Sequence, residues 1–105
     1  MISIDILRDL CKNDKIAITN HAKKRLFERN IYIDDVISTI ISGEIIEQYD
    51  NDKPFPSCLI SGKAENGNNC HTVVSFDGEF IYLITAYYPD LKNWYEDFKT
   101  RKEQI

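Results

Sequence analysis

Glu44-Ile-Ile-Glu-Gln-Tyr-Asp50, Ser57-Cys-Leu-Ile-Ser-Gly-Lys63, Cys70-His-Thr-Val-Val-Ser-Phe76 and Glu79-Phe-Ile-Tyr-Leu-Ile-Thr-Ala-Tyr-Tyr88 are the segments that decide the fold. After Gly43 the apolar period falls from about 3.6 to about 2, and β-branched and aromatic residues gather in these four runs. They read as an antiparallel meander. Asp77-Gly78 is expected to make a tight hairpin turn between the last two strands, since such turns require positive φ. Between the first two, Asp52-Lys-Pro-Phe-Pro-Ser57 reads as an extended loop, because each proline restricts itself and the residue before it.

Working back toward the amino terminus, the pattern is helical. Ile4, Leu7, Leu10 and Cys11 form the stripe of a short amphipathic helix within Ser3 to Asn13. Thr19 is placed to cap a second helix from Asn20 to about Asn30, its hydroxyl accepting from a first-turn amide. Asp34 or Asp35 opens a third, with Val36, Ile37, Ile40 and Ile41 on one face, and Gly43 is expected to stop it in the left-handed conformation. Working forward, Pro89-Asp90 is expected to start a closing helix, since Leu91, Trp94, Tyr95 and Phe98 recur at i, i+3, i+4 and i+7. The expected class is α+β: amino-terminal helices packed on a curved four-stranded antiparallel sheet, with a closing carboxy-terminal helix.

With 105 residues, 43% of them apolar, the chain fits a single domain spanning 1–105. Its net charge of -4 excludes a globally basic nucleic-acid binder, so any basic site must be local. No apolar run approaches the roughly 18–20 residues of a membrane span, and the amino terminus lacks the order of a secretory signal. A cytoplasmic location without membrane partners is expected. Three cysteines, Cys11, Cys58 and Cys70, show no C-x-x-C spacing and read as reduced, mostly buried thiols. A zinc site from Cys58, Cys70 and His71 can be drawn, but it lacks a paired-ligand motif, and no metal or other cofactor is expected.

Charge is uneven. From Lys15 to Arg29 five basic residues oppose Glu28 alone, a local balance of +4, and the tail from Lys99 adds +2. If these segments meet in space they make one positive patch. On a helical wheel His21, Arg25, Glu28 and Arg29 share about 100° of arc opposite Leu26. Arg25 and Arg29, four apart, repel mildly unless something negative lies between them. One reading is a structural ion-pair cluster completed by Glu28 and an acid from the sheet; the other is a phosphate site. His21 reads equally as a helix-start residue bonded to backbone, and His71 as an ordinary strand residue. Of Tyr87 and Tyr88, which close a strand, at least one is expected to be exposed. Were two histidines, two arginines, a glutamate and these tyrosines to converge, they would suffice for metal-free RNA cleavage. That reaction needs a base for the 2′-hydroxyl, cations for the phosphorane and an acid for the leaving oxygen.

His21-Ala-Lys-Lys-Arg25-Leu-Phe-Glu28-Arg29, Gly43-Glu44-Ile-Ile-Glu47-Gln-Tyr49, Pro54-Phe-Pro56-Ser57, His71-Thr-Val-Val-Ser75 and Ile84-Thr85-Ala86-Tyr87, with Pro89-Asp90, Trp94, Asp97-Phe98-Lys99 and Arg101, resemble a bacterial family catalogued as domain of unknown function 4258. The resemblance covers roughly Ile18 to Arg101. Members of that family resemble the RelE-like ribonuclease toxins of type II toxin–antitoxin systems, many encoded beside an antitoxin with a zinc finger and a helix-turn-helix domain. The resemblance therefore implies a RelE-like toxin fold and an endoribonuclease of the mRNA-interferase type, acting on mRNA, free or on the ribosome, and neutralised by a protein antitoxin. It implies His21, Arg25, Glu28, His71 and Tyr87 as catalytic residues, with Lys24, Arg29, Lys99 and Arg101 binding substrate. Toxins of this type are commonly basic, whereas this chain has a pI near 5.1, so RNA affinity should be weak and salt-sensitive. The alternative is a non-catalytic module of the same fold, its charged face docking a partner protein or a homodimer mate. Removing a catalytic side chain should then spare stability, whereas breaking a buried ion pair costs about 3–5 kcal/mol.

Overall fold

The structure, a computed structural model, describes residues 1–102. Three helices, α1 (Ile4–Lys12), α2 (Asn20–Glu28) and α3 (Ile33–Ser42), alternate with and precede five strands. The strands are β1 (Ile16–Ile18), β2 (Glu44–Tyr49), β3 (Ser57–Lys63), β4 (Asn69–Phe76) and β5 (Ile81–Tyr87). They form one sheet in the order β1-β5-β4-β3-β2. The class is α+β as expected, and β2 to β5 make the expected antiparallel meander. The sheet, however, has five strands and is mixed: β1 lies parallel to β5, pairing Ile16 with Ile81 and Ile18 with Leu83. Three residues are too short for a period to show in sequence, and only the docking of α2 brings this segment to the β5 edge.

Each helix end has an identifiable cause. Thr19 Oγ1 accepts from the Ala22 amide at 3.1 Å, the cap expected for α2. That helix ends at Asn30, whose φ of 56° lets the Ile31 amide reach the Leu26 carbonyl at 2.9 Å. Asp14 does the same for α1, with Lys15 N bonded to Leu10 O at 2.9 Å. Asp35 serves the start of α3 from inside the first turn: one carboxylate oxygen accepts from Tyr32 N at 2.8 Å and the other from Glu65 N at 3.0 Å. Gly43 ends α3, but in extended backbone (φ −100°, ψ −169°), not in the left-handed region expected of it. Its need for glycine is spatial. A Cβ there would meet Ser61 O at 2.4 Å and Thr39 O at 2.5 Å, and one on Gly62 would meet Thr39 O at 2.2 Å. The last turn of α3 therefore lies directly on the β3 backbone.

The helices cover one sheet face, where Leu7, Leu26, Val36, Ile40, Ile60, Val74 and Ile81 make the core. The other face carries, by cross-strand register, Tyr87-His71-Ser61-Glu44 in one row and Thr85-Val73-Leu59-Glu47 in the next. The expected closing helix is absent. From Pro89 to Lys102 the chain turns and doubles back as a strap, with Trp94 bridged to Arg101 and Lys102 N bonded to Asn93 O at 2.9 Å. Asp90 Oδ1 accepts from Asn93 N, and Asp97 Oδ1 accepts from Lys99 N and Thr100 N, so local side-chain bonds favour turns over a helix. Trp94 alone of the four periodic residues is buried; Leu91 and Tyr95 are half in water. The loop after β4 differs too. Gly78 has the expected positive φ of 103°, but Asp77 Oδ1 accepts from both Glu79 N and Phe80 N, which delays β5 to Ile81.

Candidate functional site

The strap closes over His71, and a cluster of polar side chains forms around it on the sheet face away from the helices. His71 is fully buried. Its Nδ1 lies 3.2 Å from the Tyr87 hydroxyl and its Nε2 2.6 Å from the Phe98 carbonyl. The Trp94 ring meets it edge-on at 4.5 Å between centroids. Burial lowers the His71 pKa, with the bond to Phe98 working the other way. A carbonyl can only accept, so Nε2 carries the proton and Nδ1 is left to accept from the Tyr87 hydroxyl.

Above this floor sits a charged layer. Arg101 stacks on Trp94, 4.6 Å from its centroid, and grips Glu47 with two bonds, Nε to Oε2 at 3.2 Å and Nη2 to Oε1 at 3.1 Å. The Tyr49 hydroxyl donates to the same carboxylate. Burial opposes ionisation of Glu47, but the bonds from Arg101 and Tyr49 outweigh it and hold the carboxyl below its usual value. Burial and the Glu47 hydrogen bond together push the Tyr49 phenol up to about 12. Tyr87 is raised chiefly by burial, with the nearby Arg101 charge offsetting part of it. Glu47 and Tyr49 belong to a motif that carries the family resemblance, but nothing in that motif assigned them a role. Only the pairing of β2 with β3, and the return of the strap, bring them to the Arg101–His71 cluster.

The helix residues are arranged differently. Arg29 turns inward, its Nη1 donating to Thr85 Oγ1 at 2.9 Å and to Ala86 O at 2.8 Å. It thereby satisfies the β5 edge just beyond the three residues that β1 covers. His21, Lys24, Arg25 and Glu28 are exposed, and among the described residues their side chains make no hydrogen bond or ion pair. Among the described residues, then, no acid supplies the partner that an ion-pair cluster on this helix would need. Thr85 and Tyr87 stand on the same face of β5, about 7 Å apart, so the Arg25-Arg29 flank and the His71 cluster border one another along that strand.

The two basic segments do not form one patch. Lys99 is paired with Glu44 at 3.0 Å and Arg101 with Glu47, both on β2, at the opposite sheet edge from α2. Tyr87 and Tyr88 are both half-buried, so neither is the exposed tyrosine expected of the pair. Tyr87 is held by His71, and Tyr88 packs against the core. All three cysteines are free and buried, and burial raises the Cys11 thiol to about 11 and Cys58 to about 12. Among the described residues no three His, Cys, Asp or Glu side chains are grouped to hold a metal ion, and no helix is long and apolar enough to cross a membrane.

No curated protein and no solved structure matches the chain. A family model does, over residues 18–88, more than half of the chain and every strand of the sheet except part of β1. The match stops short of the strap, so Trp94, Lys99 and Arg101 lie outside it. It includes the α2 flank, Glu47, Tyr49, His71 and Tyr87. On this match the chain belongs to the family described as Domain of unknown function (DUF4258).

Proposed function

We propose that this chain is an endoribonuclease of the toxin type, acting on the phosphodiester backbone of mRNA and held in check by a protein antitoxin. The observation that carries the reading is the meeting of Arg101, Glu47, Tyr87 and His71 on one sheet face, bordered by the unpaired cations of α2. The resemblance of the sequence motifs to RelE-like toxins supports it, as does the order of helices before an antiparallel meander. In this reading Arg101 binds non-bridging phosphate oxygens, since a guanidinium fork suits them. Glu47, ionised at neutral pH, takes the proton of the ribose 2′-hydroxyl. The 2′ oxygen bonds to phosphorus, the P–O5′ bond breaks, and Tyr87, kept protonated by burial, returns a proton to the 5′ oxygen. The product is a 2′,3′-cyclic phosphate. His71, enclosed on both ring nitrogens, orients Tyr87 and does not touch substrate. Arg25 and Lys24 bind flanking phosphates, with His21 and Glu28 beside them as a second proton-carrying pair.

Induced expression in a bacterial host, with growth followed and transcript 5′ ends mapped, tests this. Growth arrest with new 5′ ends, both lost in Glu47→Gln and Arg25→Ala, is the expected outcome. Arg25 is exposed and without a bond among the described residues, so Arg25→Ala should stay within about 1 kcal/mol of wild-type stability. Glu47→Gln keeps the side chain's size but weakens its bond to Arg101, so a thermal melt of that variant separates lost activity from lost fold. A second reading, a non-catalytic binding module, is favoured by one feature: Glu47 is bonded by Arg101 and Tyr49, and His71 by Tyr87 and the Phe98 carbonyl, so the polar groups of the cluster are satisfied within the chain. Folded wild type that causes neither arrest nor new ends would establish that reading instead.

A further inference from the structure

On the opposite flank of α2 from Arg25 and His21, the chain leaves a groove that the proposed chemistry does not use. It is a cavity of about 290 Å³ between α2 and the start of α3, floored by Leu26 and Ile31. Phe27, Tyr32 and Ile33 line it and are 81%, 70% and 42% exposed. At these exposures the two aromatic rings leave on the order of 300 Å² in water. That is a large share of the ~800 Å² per partner that a stable interface buries. Scattered exposed apolar residues are ordinary on a protein surface, but three large ones around one cavity mark an interaction site.

The charges at the rim say what fits. Lys23 stands on α2 and Asp34 on α3, on opposite sides of the groove, and among the described residues neither side chain makes a hydrogen bond or ion pair. One cation facing one anion selects neither an acidic nor a basic partner. It does match itself: about a two-fold axis, residue i meets residue j and j meets i, so Lys23 of each copy opposes Asp34 of the other. We propose that this groove is the interface of a two-fold homodimer, with Phe27 and Tyr32 of each copy buried against the other and two Lys23–Asp34 pairs closing the rim. The arrangement leaves the Arg25 flank and the His71 cluster facing outward, and it does not depend on the ribonuclease reading.

Sedimentation velocity of the full chain over a concentration series tests it. The expected result is a monomer–dimer equilibrium whose dissociation constant rises on the order of 30-fold or more in Phe27→Glu, as for a buried aromatic anchor. Phe27 is mostly in water in the single chain, so this variant should melt as the wild type does. Lys23→Asp and Asp34→Lys should each weaken the dimer, and the doubly swapped protein should recover it. A wild type that stays monomeric at every concentration overturns the proposal and leaves the groove to a different protein. So does a dimer indifferent to Phe27→Glu, or a double swap no better than either single change.

Discussion

At Gly62 a single hydrogen atom stands where any other residue would drive a Cβ to 2.2 Å from the Thr39 carbonyl. The obstacle is backbone, which cannot rotate away. Gly62→Ala should therefore destabilise the protein by at least ~2 kcal/mol, read as a lower denaturation midpoint at unchanged slope. His71 carries a different prediction. Because burial depresses its pKa below the ordinary 6.5, the unfolded chain binds more protons than the folded one as pH falls past that value. Stability is thus complete above pH 6.5 and declines as pH drops toward the folded pKa. The wild-type melting temperature should fall between about pH 7 and pH 5, and His71→Gln should flatten that fall. Paired carboxylates such as Glu47 lose their contribution only at lower pH, since their folded values lie below 4.5.

At the scale of elements, the β5 edge shows how a sheet ends. Its first three residues are covered by β1, and the next stretch is covered by one side chain, Arg29. A charged donor bonded to a backbone carbonyl contributes about 1.5–3 kcal/mol. Arg29→Ala should cost that much by chemical denaturation, and it should speed amide exchange near Thr85 and Ala86. The loss would be one of fold as well as of charge, so an activity change in this variant says nothing about phosphate binding. The strap is the second element without a sequence period. Its Asp90 and Asp97 turns, and the pull of Trp94 into the sheet face, override a helical spacing that is real in sequence but has no surface to bury it. A helix with Leu91, Trp94, Tyr95 and Phe98 on one stripe would need a free apolar face opposite. The helices already occupy that face of the sheet. The other offers only Leu59 and Val73 among Thr85, Tyr87, His71, Ser61, Glu44 and Glu47, enough to seat Trp94 but not a whole apolar stripe.

Over the whole molecule, the net charge of -4 is distributed so that Lys99 and Arg101 of the tail are paired with Glu44 and Glu47, while the cations on the exposed flank of α2 have no acidic partner among the described residues. The densest run of cations without an acidic partner is therefore on α2, and any RNA binding by this chain should weaken steeply as salt rises. The two exposed flanks of α2 divide the work proposed for them: Arg25 and His21 face the β5 side and the open sheet, Lys23 and Phe27 face the groove toward α3.

The residues alone determined the α+β class, the three helices, the Thr19 cap and the four-stranded meander. Those follow from local causes: apolar periods of 3.6 and 2, a hydroxyl beside a free amide, and turn residues between runs. They also marked which residue types to watch, with His71 and Tyr87 among a wider set that included His21, Arg25, Glu28 and Arg29; that His71 and Tyr87 meet is read from the structure alone. Only the tertiary structure decided that β1 joins β5 in parallel, that Gly43 is required by the approach of α3 to β3, and that the last segment is a strap. It alone brought Glu47 and Tyr49 to Arg101 and turned Arg29 inward to the sheet edge. Each of these depends on contacts between residues far apart in the chain, and no spacing along one segment encodes a distance to another.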